Sequence, residues 1–159
     1  MKKIIAIITI VIFNVISIQG QNIVDTAKKY KEAREKNKSA ADCTVRAVAE
    51  AFNVSYSKAF RQMKKFGRAD KKGMKQKYFI NAVEELYLDE VVTAGILEEP
   101  TWSAYFAFYL AEHGYTYLVM NDHHIFVIEQ NENGEWTIYG NKSDFYTEIK
   151  MFIKLKVNN

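Results

Sequence analysis

Cysteine is almost absent from this chain of 159 residues. Cys43 is the only one, so no intrachain disulfide can form. A lone thiol is buried filler, an intermolecular link or a reactive nucleophile. Proline is as scarce: Pro100 marks the only sharp internal boundary, and no repeat or low-complexity linker divides the chain. There are three histidines, His113, His123 and His124. No Cys/His pair has zinc-ligand spacing, and the adjacent His123 and His124 splay apart on a strand, so neither a metal nor a cofactor is expected. Charge of one sign is also lacking. Setting Lys2 and Lys3 aside from the 22 basic side chains leaves 20 against 19 acidic ones. The basic clusters at 28–38 and 64–77 alternate with aliphatic and acidic residues. They read as solvated helix faces, which argues against a nucleic-acid partner.

The chain has one long apolar run. Ile4 to Ile18 follows the basic Lys2 and Lys3, and Ile18-Gln19-Gly20 precedes Gln21 as a passable cleavage site. The run is short for a membrane span and charged residues follow it, so residues 1–20 are expected to be a cleaved export signal, with an uncleaved anchor as the alternative. The expected location is secreted or periplasmic, without stable membrane insertion once the signal is removed. About 140 residues remain, enough for one domain with its own core.

Residues 21–38 form a charged lead-in, expected to be helical or frayed, before a domain over 39–159. Val45, Val48, Ala49 and Phe52 recur at i, i+3, i+4 and i+7, predicting a helix from about Asp42 to Phe52. Ser55 or Ser57 can cap a second helix ending at Gly67, and a third is expected from Met74 to Leu86. Thr101 after Pro100 predicts a fourth, with Trp102, Tyr105, Phe106, Tyr109 and Leu110 as its core stripe and Gly114 as its end. The character then changes. Residues 115–120, 125–128 and 136–139 read as strands, Asn133-Gly134 as a hairpin turn, and 145–157 as one or two further strands. Helices first and an antiparallel sheet afterwards predict an α+β domain.

At about 100° per residue, the bulky stripe of the first core helix lies nearly opposite Cys43, whose side is lined by Ala47 and Ala51. Cys43 stands in the first turn, where free N–H groups and the helix dipole favour a thiolate. A nucleophilic cysteine needs a base, and the base needs an orienting group. His113, just before Gly114, is expected to be structural. For a two- or four-residue hairpin loop, His124 shares a sheet face with Asn141 and His123 is excluded. A three- or five-residue loop inverts this. Asn141 would then fix the tautomer of His124 and leave the other ring nitrogen for the thiol.

A cysteine opening a helix, a histidine heading an apolar strand, and Asn or Asp on the next strand is a chain order that resembles the papain-like cysteine peptidases. The likeness is greatest to the small bacterial branch that cleaves bacteriocin (double-glycine) leader peptides. That branch reads roughly Gln-x-x-x-Ala-Asp-Cys at its nucleophile, and this chain has Asn37-Lys38-Ser39-Ala40-Ala41-Asp42-Cys43. Asp42-Cys43-Thr44-Val45-Arg46-Ala47 is also similar to small phage and bacterial papain-like proteins, and His124-Ile125-Phe126-Val127-Ile128 to the family's histidine strand. The resemblance spans 37–141. It implies a papain-like fold with the nucleophile at the start of the first core helix, and a thiol hydrolase acting on a peptide or protein substrate. Cys43 would be nucleophile, His124 base, Asn141 orienting residue and Asn37 oxyanion-hole donor. The chain departs from the pattern at Asn37, one methylene shorter than glutamine, and at Thr44, where glycine often follows the cysteine. The closest branch has aspartate where Asn141 stands, and papain itself uses asparagine. Two other readings compete: an inert papain-like binding or inhibitory module, and a cell-wall peptide amidase or endopeptidase, whose orienting residue is often a second histidine.

Overall fold

A computed structural model of the chain describes residues 21–37, 41–69, 73–131 and 133–156; the expected export signal at 1–20 lies outside them. The order along the chain is β1 (Gln21–Asp25), α1 (Thr26–Lys29), α2 (Lys31–Lys36), α3 (Cys43–Ala51), α4 (Tyr56–Lys65), α5 (Gln76–Leu86) and β2 (Val91–Trp102). It continues with α6 (Ser103–Tyr105), a π-helical turn (Phe106–Leu110), β3 (Tyr115–Met120), β4 (Ile125–Gln130), β5 (Trp136–Gly140), a 3-10 turn (Lys142–Tyr146) and β6 (Glu148–Lys156). The class is α+β.

The first three expected helices form where their spacing and turn residues place them. Ser55 Oγ accepts the Lys58 N–H at the start of α4, and Gly67 follows its end at a φ of +91°, the left-handed conformation that glycine adopts without steric cost. The six strands lie in one sheet in the order β1-β5-β4-β3-β6-β2. Ile125 and Val127 of β4, with Leu118 and Met120 of β3, face α3, α4 and α5; Phe126 and Ile128, with Tyr117 and Val119, face the 103–110 segment. Burial on both faces explains why Ile125 to Ile128 is an unbroken apolar run with no alternation. Helix α3 is nearly surrounded too, with Thr44 through Ala49 all buried.

Three expectations are corrected. The segment Gln21–Asp25 is neither helical nor frayed: it pairs in parallel with Trp136–Gly140, so the sheet is mixed rather than purely antiparallel. Its β-branched Ile23 and Val24 suit a strand, but five residues are too few to display a period. Thr101 does not open a helix. It belongs to the edge strand β2, antiparallel to β6, whose register slips between Ile96 and Thr101. Pro100 falls in that irregular stretch of an edge strand, where a missing N–H costs little. The aromatic stripe that follows also fails as core. Phe106 is buried, but Trp102, Tyr105, Tyr109 and Leu110 remain about half exposed. Ala111 N–H closes on Phe106 O at 2.8 Å, and the wider π turn breaks the 3.6-residue phase on which the stripe was built.

Candidate active site

The start of α3, the head of β4 and the end of β5 meet at one end of the sheet. His124 is held there by the turn between β3 and β4. Asn121 Oδ1 accepts the His123 and His124 N–H groups at 2.9 and 2.8 Å, Asn121 N–H donates to His124 O at 3.1 Å, and Asn121 Nδ2 reaches Glu148 O at 3.2 Å. This Asx-type turn fixes the backbone that carries the imidazole. The ring stacks on Phe126 with centroids 5.8 Å apart. His123, in contrast, is exposed.

The carboxyl group against His124 is that of Asp144, not the amide of Asn141. Asp144 Oδ2 lies 3.1 Å from His124 Nε2 and accepts the Asn141 N–H at 2.7 Å. The Asn141 side chain in turn accepts the Asp144 N–H, so the two residues form a reciprocal capping box on the 3-10 turn. The physical reason is the hairpin register. Gln130 pairs with Trp136 and Val127 with Tyr139, while Asn131 N–H bonds Glu135 O. That leaves the three residues 132–134 as the loop, the case that inverts the face argument. Asn141 therefore has the parity of Tyr139 and Val127, and the carboxyl group against His124 comes from the turn beyond the strand.

Gly140 makes room for it. A Cβ at 140 would lie 2.2 Å from Asp144 Oδ2 and 3.3 Å from the Phe126 Cβ. Gly140→Ala is therefore expected to push the carboxylate off the imidazole. Displacements near 1 Å in such a site cost about 10²-fold, so Cys43 alkylation at about pH 6 should slow by about ten- to a hundredfold. Wild-type alkylation kinetics in the variant would refute the constraint.

Cys43 opens α3, is partly buried and is free. Burial opposes a thiolate, but the hydrogen bond and charge of His124 act the other way, helped by the Ile125 N–H and the charge of Arg46; the net effect holds the thiol below its ordinary value. His124 mirrors this. Burial disfavours the charged ring, yet hydrogen bonds to Asp144 and Cys43, with their charges, raise its pKa from 6.5 to about 9. With Nε2 donating to Asp144, Nδ1 is the nitrogen left for the thiol. The arrangement favours a thiolate–imidazolium pair at neutral pH.

Asp42 directly precedes Cys43. It is the N-cap residue of α3, yet its side chain makes no capping bond to that helix. Its carboxylate instead meets Arg34 Nε at 2.8 Å, Arg46 Nε at 3.2 Å and the Tyr56 hydroxyl at 2.8 Å, while Arg46 also donates to Thr26 Oγ1 at 2.7 Å. The cap is thereby diverted, and the Asp42 side chain claims none of the first-turn N–H groups of α3 that could receive an oxyanion. Asn37 is placed less favourably for that role. It terminates α2, and its Nδ2 donates to Ala33 O of its own helix at 2.7 Å.

Sequence reasoning missed Asp144, Asn121, Gly140, Arg46 and the Ile125 N–H. Asn-x-x-Asp at 141–144 was a readable capping signal, and Arg46 follows Asp42 at helical i, i+4 spacing. Among the described residues, no three His, Cys, Asp or Glu side chains are grouped as a metal ion would need, and no helix is long and apolar enough to cross a membrane. No protein-family model, curated protein or solved structure matches the chain.

Proposed function

We propose that the protein is an exported papain-like thiol hydrolase that cleaves peptide or related amide bonds through Cys43, His124 and Asp144. The observation that carries this reading is the placement of His124 Nε2 3.1 Å from the buried Asp144 carboxyl group, with the same imidazole acting on the helix-opening Cys43 thiol to hold its pKa down. The thiolate attacks the carbonyl carbon, and the Cys43 N–H at the start of α3 faces the resulting oxyanion. As the carbon–nitrogen bond breaks, the His124 imidazolium gives its proton to the leaving amine, and an S-acyl thioester remains. A water molecule then attacks the thioester with His124 as base, the acid departs and the thiol is restored. A carboxyl group rather than a second histidine against His124 favours this reading over the cell-wall amidase.

The test is the pH dependence of Cys43 alkylation by iodoacetamide, beside a His124→Ala variant. The expected result is fast modification that persists below about pH 6 in the wild type and is lost in the variant, since an unpaired thiol ionises only near ~8.5. Slow modification confined to alkaline pH and unchanged in the variant would leave an inert binding or inhibitory module as the better reading.

A further inference from the structure

The orienting carboxyl group sits on a five-residue 3-10 turn, a form with poor hydrogen-bond geometry and little stability of its own. Its side chain bonds Asn141 and His124, which fixes one end of the residue. The main chain at Asp144 is fixed from elsewhere. Ser103, the first residue of α6, donates its Oγ to Asp144 O at 2.5 Å, and its N–H donates to Thr147 O at 2.9 Å. Ser103 is fully buried and lies 41 residues before its acceptor. One residue thus grips the turn at Asp144 and again where the chain leaves for β6.

Resting on the hydrolase reading above, we propose that Ser103 is a positioning residue that holds Asp144 against His124. Without the hydroxyl, Asp144 O keeps the local Thr147 N–H, at 3.2 Å. The turn can then rotate about its capping box, and Oδ2 leaves the imidazole. Ser103 does not touch the reacting atoms. Its effect passes entirely through Asp144, so it must vanish when the Asp144 carboxyl group is removed.

The experiment is an NMR titration of the histidine ring protons in the full chain for the wild type, Ser103→Ala, Asp144→Ala and the double variant. His113 and His123 serve as internal reporters of an intact fold. The His124 midpoint is expected to fall from about 9 toward 6.5 in S103A, to fall at least as far in D144A, and to move no further in the double variant. A wild-type midpoint in S103A would overturn the role of Ser103 while leaving the Cys43–His124–Asp144 reading intact. So would an equal further drop when S103A is added to D144A. An ordinary wild-type midpoint, indifferent to D144A, would overturn both. If S103A does not fold, Ser103→Gly, which keeps the N–H bond to Thr147, is read against the same outcomes.

Discussion

Asp144→Ala is expected to abolish most of the reactivity of Cys43 and to narrow the pH range in which any remains. In the intact site the surroundings favour a thiolate–imidazolium pair between the depressed pKa of Cys43 and that of His124 at about 9. On the proposed hydrolase reading, acylation needs the thiolate and amine expulsion needs the imidazolium, so hydrolysis should rise through the first value and fall through the second. Asp144 raises the His124 value. Its removal leaves Cys43 as the one named group still raising that value against burial, so the alkaline limb moves down. A less protonated ring stabilises the thiolate less, so the acid limb moves up. Where a positioned base loses its orienting group, the loss in turnover is about 10²–10⁴-fold. Peptide turnover and iodoacetamide kinetics across the pH range measure the two limbs separately. Asp144→Asn retains a polar partner without the charge, and should fall between the wild type and the alanine variant. If the limbs of D144A coincide with those of the wild type, the carboxyl group has no part in the chemistry.

How this site could be anticipated from the sequence depends on the range of each signal. Cys43 and His124 were legible because each opens a regular element whose pattern is local: the apolar spacing of α3, and the unbroken run of β4. Helices α4 and α5 and the core strands were legible for the same reason. Strand β1 was not, because five residues lack a period. Strand β2 was not, because an edge strand that slips register at Pro100 leaves most of its side chains exposed and loses alternation. Asp144 was hidden by a different cause. Its placement depends on the length of the hairpin loop, and one residue of loop length moves every later side chain to the other face. Asn133-Gly134 announced a turn but not its length, so the face assigned to Asn141 was a parity argument without a fixed origin. Asp42 was legible as the residue before the cysteine, yet composition alone could not reveal that its side chain turns away from the helix it precedes.

That last feature sets the largest expected loss of stability. Asp42 is 1% exposed and joins three helices: Arg34 of α2, Arg46 of its own α3 and Tyr56 of α4. Asp42→Ala leaves the Arg46 guanidinium, buried with its residue, held by Thr26 alone among the bonds described above, and removes the carboxylate to which the buried Tyr56 hydroxyl donates. Removing one member of a buried ion pair costs about 3–5 kcal/mol, a large part of the 5–15 kcal/mol typical of a whole domain. Arg34→Ala should cost much less, about 1 kcal/mol or below, because that side chain is 27% exposed and its charge is screened by solvent. Denaturant unfolding of the two variants beside the wild type measures the contrast. The chemical consequence follows from the same geometry. Asp42 precedes the nucleophile directly, so once its anchor is lost the first turn of α3 can shift, and Cys43 alkylation should slow even under conditions where D42A remains folded. Equally small stability losses in D42A and R34A would mean that the network contributes little and has no role in seating α3.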